Sequence, residues 1–137
     1  MASIRKEVVI DAPSAEVWSA VRDYGQVHTR LCPGVVTDAR MESGDLRVVT
    51  FASGLVLREL IVDVDDQARR FVWSAIGGRA KHHNGAMQVF DEGAGASRRV
   101  WIADILPHNL GPVVAGIMEE GLAAAKAHLE AKARRAA

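Results

Sequence analysis

Cysteine is almost missing from this chain. Cys32 is the only one, so no disulfide can form within it. A lone thiol fits a reducing compartment, so the expected location is cytoplasmic and Cys32 is expected to be a small packing residue. A surplus of either charge is missing too, because 17 Lys+Arg balance 17 Asp+Glu. That balance exerts no long-range pull on nucleic acid or anionic membrane, and neither is an expected partner. No apolar run approaches the roughly 20 residues that cross a bilayer, so no membrane insertion is expected. The opening Ser3-Ile4-Arg5-Lys6-Glu7 carries charge at once and lacks the apolar core of a signal peptide.

Several chemical signatures are absent as well. There is no His-Glu-x-x-His and no cysteine pair, and His82-His83 are too close on a strand to share one ion; no metal is expected. No Gly-x-Gly-x-x-Gly or other phosphate-cradling loop occurs, so no cofactor is expected. No Gly-x-Ser-x-Gly elbow offers a nucleophilic serine.

What remains is the composition of a globular domain, 49% hydrophobic and 25% charged. One domain over residues 1–137 is long enough to bury about two-thirds of its surface. Ile4–Asp11 is rich in β-branched residues, stops at Ala12-Pro13, and reads as a strand. Ser14 is expected to cap a short helix whose apolar stripe is Val17, Trp18 and Val21. A second helical turn covers Gln26–Leu31, before Pro33-Gly34. β-rich runs then follow at Val35–Met41, Leu46–Phe51, Leu55–Val64, Phe71–Ile76, His82–Phe90 and Arg98–Leu106. Short turns such as Ser43-Gly44-Asp45 and Ser53-Gly54 join them, which is the pattern of an antiparallel meander.

After Pro107 the period changes. Leu110, Val113, Val114, Ile117, Met118, Gly121, Leu122, Ala125 and Leu129 recur at three- and four-residue steps. They define an amphipathic helix of about 24 residues, roughly 36 Å long. The tail Ala131–Ala137 is expected to fray. The order strand, two short helices, six strands, long helix gives an α+β, helix-grip fold. In it a curved antiparallel sheet of about seven strands wraps round the C-terminal helix. A curled sheet does not close flat on one helix, and the gap left between them is the expected pocket.

Two segments carry a resemblance. They are Val9-Ile10-Asp11-Ala12-Pro13-Ser14-Ala15-Glu16-Val17-Trp18 and Val100-Trp101-Ile102-Ala103-Asp104-Ile105-Leu106-Pro107. With the order of elements, they make the chain resemble the START/polyketide cyclase-like superfamily, the fold of the birch-pollen allergen. The resemblance implies a hydrophobic cavity used for polyketide cyclisation or dehydration, lipid carriage, hormone binding or chaperone activation. It brings no shared catalytic motif that transfers onto residues here.

The residues themselves offer candidates. In His82-His83-Asn84 alternate side chains point to opposite faces, and an inward His82 with Asn84 would set an acid–base group and an amide beside a ligand. Arg58 and Glu59 interrupt the apolar run Leu55–Val64, and the pattern slightly favours Arg58 as the inward one. Asp104 shares a face with Val100, Ile102 and Leu106 and is a candidate acid or base. Trp73 and Trp101 are candidate cavity walls, Met118 faces the same space from the helix, and His28 in the roof is a candidate gate.

The leading expectation is a binding protein for an apolar or aromatic small molecule. The alternatives are a polyketide cyclase/dehydratase-type enzyme, with His82, Arg58 and Asp104 as candidate catalytic groups, and a protein-interaction module of the same fold. A homodimer through an outer strand or helix face is compatible with either. A slip of one residue in strand parity exchanges Arg58 for Glu59 and His82 for His83.

Overall fold

The computed structural model describes residues 2–136. Strand β1 (Ser3–Ile10) leads into helix α1 (Ser14–Arg22), then a 3-10 turn (Tyr24–Gln26) and a π turn (Val27–Leu31). Six strands follow: β2 (Val36–Ser43), β3 (Leu46–Phe51), β4 (Val56–Asp65), β5 (Arg70–Ile76), β6 (His82–Asp91) and β7 (Ser97–Leu106). A 3-10 turn (His108–Leu110) precedes helix α2 (Gly111–Ala136). The expected α+β helix-grip architecture is present, with seven antiparallel strands and one long terminal helix.

Consecutive strands β2 to β7 pair as hairpins, and β1 closes against β7, so the sheet runs β1-β7-β6-β5-β4-β3-β2. The β3–β4 hairpin turns at Ser53-Gly54, where Gly54 takes φ 92, a left-handed conformation that costs glycine nothing. Irregularities in pairing lie between Val36 and Asp38, between Met41 and Ser43, and between Ile61 and Asp63. An extra residue of this kind bends its strand and sharpens the twist, which curls the sheet round α2.

The bulge at Val62 also resets parity. Leu57, Glu59 and Ile61 point inward before it, and Val64 packs on the core after it. A strict two-residue period would have sent Val64 outward. The other inner positions include Phe71 and Trp73 of β5, Met87 and Val89 of β6, and Ala103 and Ile105 of β7.

Helix α2 buries Val114, Met118, Gly121, Leu122, Ala125 and Leu129, the stripe expected from its period. Val113, on the rim of that stripe, is 60% exposed, and Ile117 is half-buried. Both leave the sheet where it curls away. The tail expected to fray is instead helical through Ala136, and Ala133 packs against the core; Ala137 lies outside the described residues. The Ala-rich sequence has the propensity to carry the helix on. Ser14 does not act as the cap of α1. It is the first helical residue, and its hydroxyl donates to Asp91 and accepts from Arg69. Among the described residues no helix is long and apolar enough to cross a membrane.

Candidate ligand-binding site

Two hollows meet between the sheet and α2. The outer one, a mouth of about 500 Å³, lies between the β3–β4 turn and the first turns of α2. Its wall is mostly apolar: Val35, Phe51, Leu55, Val113 and Ile117. The inner one is a chamber of about 40 Å³ under the π turn, lined by Leu31, Cys32, Trp73, Trp101, Gly121 and three charged groups. Val35, Phe51 and Ile117, all half-buried, border both hollows.

The three charges in the chamber are Arg47, Glu59 and Arg99, at 5%, 5% and 1% exposure. Arg47 and Glu59 neutralise each other: Arg47 Nε donates to Glu59 Oε1 at 2.8 Å. Arg47 also donates from Nη1 to the Tyr24 carbonyl, and its guanidinium lies over Phe71 and Trp73, 5.2 and 5.7 Å from the ring centroids. This arginine has a counter-ion.

Arg99 has none among the described residues. Its Nη2 donates only to the Met87 sulfur, a weak acceptor, and its Nε and Nη1 have no acceptor there. Its guanidinium lies 5.7 Å from the Trp101 ring centroid. Burial pushes Arg99 down to about 10, with only the neighbouring Cys32 pulling the other way. The Trp101 indole Nε1 is likewise buried without a partner among the described residues. Three nitrogens, two on Arg99 and one on Trp101, therefore lack acceptors among the described residues, and both residues line the chamber.

Cys32 sits in the same wall, buried and free. Burial raises its thiol above the ordinary range, against the lowering pull of Arg99 and Arg47, so it stays neutral. His83 points inward from β6, and burial lowers it from its usual value, while Glu59 pulls it up and His82 pushes it down. It lies outside the chamber lining.

The sequence-expected residues divide by face. Glu59, Trp73 and Trp101 line the chamber. Arg58 is a correction: it is exposed on the outer face and pairs with Glu42 at 2.9 Å, because Glu59 takes the inward parity. His82 and Asn84 are corrections of the same kind, exposed on the outer face because His83, Gly85 and Met87 carry the inward parity of β6. Asp104 is exposed too, accepting from the Ser3 hydroxyl at 2.7 Å. Met118 is fully buried but packs with Ala103, Ile105, Leu110 and Val114; Ile117 and Gly121 face the chamber in its place. His28 is half-buried in the roof, where its neighbours Val27 and Leu31, and not its own ring, line the chamber.

Asn84 and Asp104 do meet, as a cross-strand pair in a groove of about 420 Å³ on the outer face. Arg5 and Arg98 in that groove are both held by Glu7, at 3.0 and 3.1 Å. Arg5 and Arg98 thus have a carboxylate partner within the protein, which Arg99 of the chamber lacks. Among the described residues no three His, Cys, Asp or Glu side chains gather as metal ligands would.

Sequence reasoning missed Arg47 and Arg99, though both left signals. Arg99 shares a strand face with Trp101, which was expected to line the cavity, so the two stand or fall together. Arg47 and Glu59 lie at equal distances from the Ser53 turn, which places opposite charges opposite each other in the hairpin.

The model of a family described as polyketide cyclase / dehydrase and lipid transport matches residues 1–133. No curated protein matches the sequence. Among solved structures, a protein from Thermobifida fusca is 24% identical, with a TM-score of 0.79 over 98% of this chain and 95% of its own. A START superfamily protein from Mycobacterium smegmatis is 13% identical, with a TM-score of 0.74 over the full length of both chains. Norcoclaurine synthase from Thalictrum flavum, solved with dopamine and hydroxybenzaldehyde, is 17% identical, with a TM-score of 0.71 over 97% of this chain and 86% of that one. At such identities the likeness shows the fold alone.

Proposed function

This chain belongs to the polyketide cyclase / dehydrase and lipid transport family, and on that premise we propose that it binds one small, largely apolar or aromatic molecule between its sheet and α2. One observation carries the reading. The apolar mouth and the inner chamber share Val35, Phe51 and Ile117, which supports reading these side chains as the neck of one path from solvent to the buried charges. An apolar body of modest size suits the mouth, and its polar end suits the chamber, the usual division of labour in small-molecule sites. Norcoclaurine synthase, which shares the fold, is described with two small aromatic molecules, and occupants of that class fit these dimensions.

A second reading, acid–base catalysis on a polyketone, finds support in Glu59, a carboxylate at the chamber wall with His83 near enough to feel its charge. Turnover of the occupant, rather than its recovery unchanged, would favour it.

The test combines two measurements. Mass spectrometry of molecules released from freshly purified protein identifies any natural occupant. Fluorescence titration with N-phenyl-1-naphthylamine then compares wild type with Ile117→Trp, which plugs the neck. Saturable one-to-one binding, weakened about tenfold or more in the variant, supports the path. Equal binding by the two proteins would place the probe elsewhere and overturn it.

A further inference from the structure

We propose that the chamber is an oxyanion subsite, with Arg99 as its anchor, and that the ligand is a monoanion: an apolar or aromatic body ending in one carboxylate or enolate oxygen group. The inference rests on the binding reading above and names the chemical class of what is bound.

Charge gives the first argument. Arg47 and Glu59 cancel at 2.8 Å, and Cys32 stays a neutral thiol, which leaves the Arg99 guanidinium as one uncompensated positive charge in the wall. A buried cation without a counter-ion costs several kcal/mol of desolvation and is retained only where something repays it. One negative charge from a ligand is the missing partner.

Hydrogen bonding gives the second. Arg99 Nε and Nη1 and Trp101 Nε1 are buried donors without acceptors among the described residues, and both residues line the chamber. Nothing but an acceptor satisfies such a set, and a carboxylate offers the bidentate geometry that a guanidinium fork prefers. A neutral ligand with donors only would leave all three orphaned.

Size gives the third. One water needs about 10–15 Å³ of such space, so the chamber of about 40 Å³ takes a headgroup of roughly three heavy atoms. That is a carboxylate. The body must stay in the mouth, beside Phe51, Leu55 and Val113.

The experiment is isothermal titration calorimetry at neutral pH with naphthalene-2-carboxylate and naphthalene-2-carboxamide, equal in shape and different in charge. Wild type is expected to prefer the carboxylate by about tenfold or more. Arg99→Met, which keeps length and apolar volume, is expected to bring the ratio to near one. Should that variant fail to fold, Trp101→Phe keeps the ring, removes one donor and is expected to reduce the preference several-fold. Equal binding of both probes by wild type overturns the oxyanion subsite and leaves the cavity standing. A preference that survives Arg99→Met overturns Arg99 as the anchor. Binding of neither probe overturns the cavity and, with it, the subsite.

Discussion

Arg47 and Glu59 face each other across the β3–β4 hairpin, nitrogen to oxygen at 2.8 Å, each with its side chain 6% exposed. Burial on both sides makes this pair unlike the surface bridges of the molecule, such as Arg22–Asp66, which lie half in water. Removing one partner would strand the other in a low-dielectric wall. Glu59→Gln should therefore destabilise by about 3–5 kcal/mol in urea unfolding. The double change Arg47→Met with Glu59→Leu should recover most of that loss, because the desolvation cost disappears with both charges. Equal instability of the single and double variants would contradict this account.

Arg99 should behave in the opposite sense. A guanidinium held near 10, well below its ordinary value, carries about 3 kcal/mol of penalty against its charged form. Arg99→Met removes that penalty and should raise stability by about 1–3 kcal/mol, the signature of a residue kept for binding at the expense of the fold. Chemical denaturation of the two proteins without ligand measures it.

Two glycines make room for the tryptophans of the chamber. A Cβ on Gly85 would fall 2.3 Å from the Trp73 ring, and one on Gly121 would fall 3.0 Å from the Trp101 ring. Gly85→Ala should displace Trp73 and cost about 1–3 kcal/mol, with a shift in tryptophan emission. Gly121→Leu should cost a similar amount or fill the chamber that Gly121 lines. If Gly121→Leu kept wild-type stability and binding, the face of α2 assigned to the sheet would be wrong.

His83 should mark the acid limit of stability. Its folded value lies below the ordinary 6.5, chiefly through burial. The folded state therefore resists protonation while the unfolded chain accepts it. Stability is full above about 6.5 and falls as pH drops through the folded value, with a slope of at most about 1.4 kcal/mol per pH unit from this group. His83→Gln should flatten that part of the profile, read from urea midpoints at a series of pH values.

Val113 tests the mouth. It is 60% exposed on the α2 rim, so Val113→Ser should change stability by no more than about 0.5 kcal/mol. Affinity for the naphthyl probes should nonetheless fall by about three- to tenfold, since the lost methyl groups cover the bound body. A variant that binds as wild type would place the body away from α2.

The sequence carried the order of elements without help. Pro13, Pro33-Gly34, Ser53-Gly54 and Pro107 punctuate the chain, and β-branched runs and a three- to four-residue stripe lie between them. These are local signals, written in neighbouring residues, and the observed elements fall within a few positions of them. The pairing of β1 with β7 is not local, and only the folded sheet shows it. Trp73 and Trp101 could be proposed as wall residues from local signals of the same kind.

The sequence alone determined that a curved sheet would grip a helix, because turn chemistry and hydrophobic period act over a few residues. The tertiary structure decided which side of each strand faces that helix. Side chains alternate along a strand, so a single unit of parity separates Arg58 from Glu59 and His82 from His83. One residue at the Val62 bulge inverts the pattern within β4 itself. Parity is fixed by hydrogen bonds between strands and by what α2 covers, and neither is written in the residues of one strand. For the same reason Arg99, unremarkable in sequence, became a buried cation without a counter-ion among the described residues.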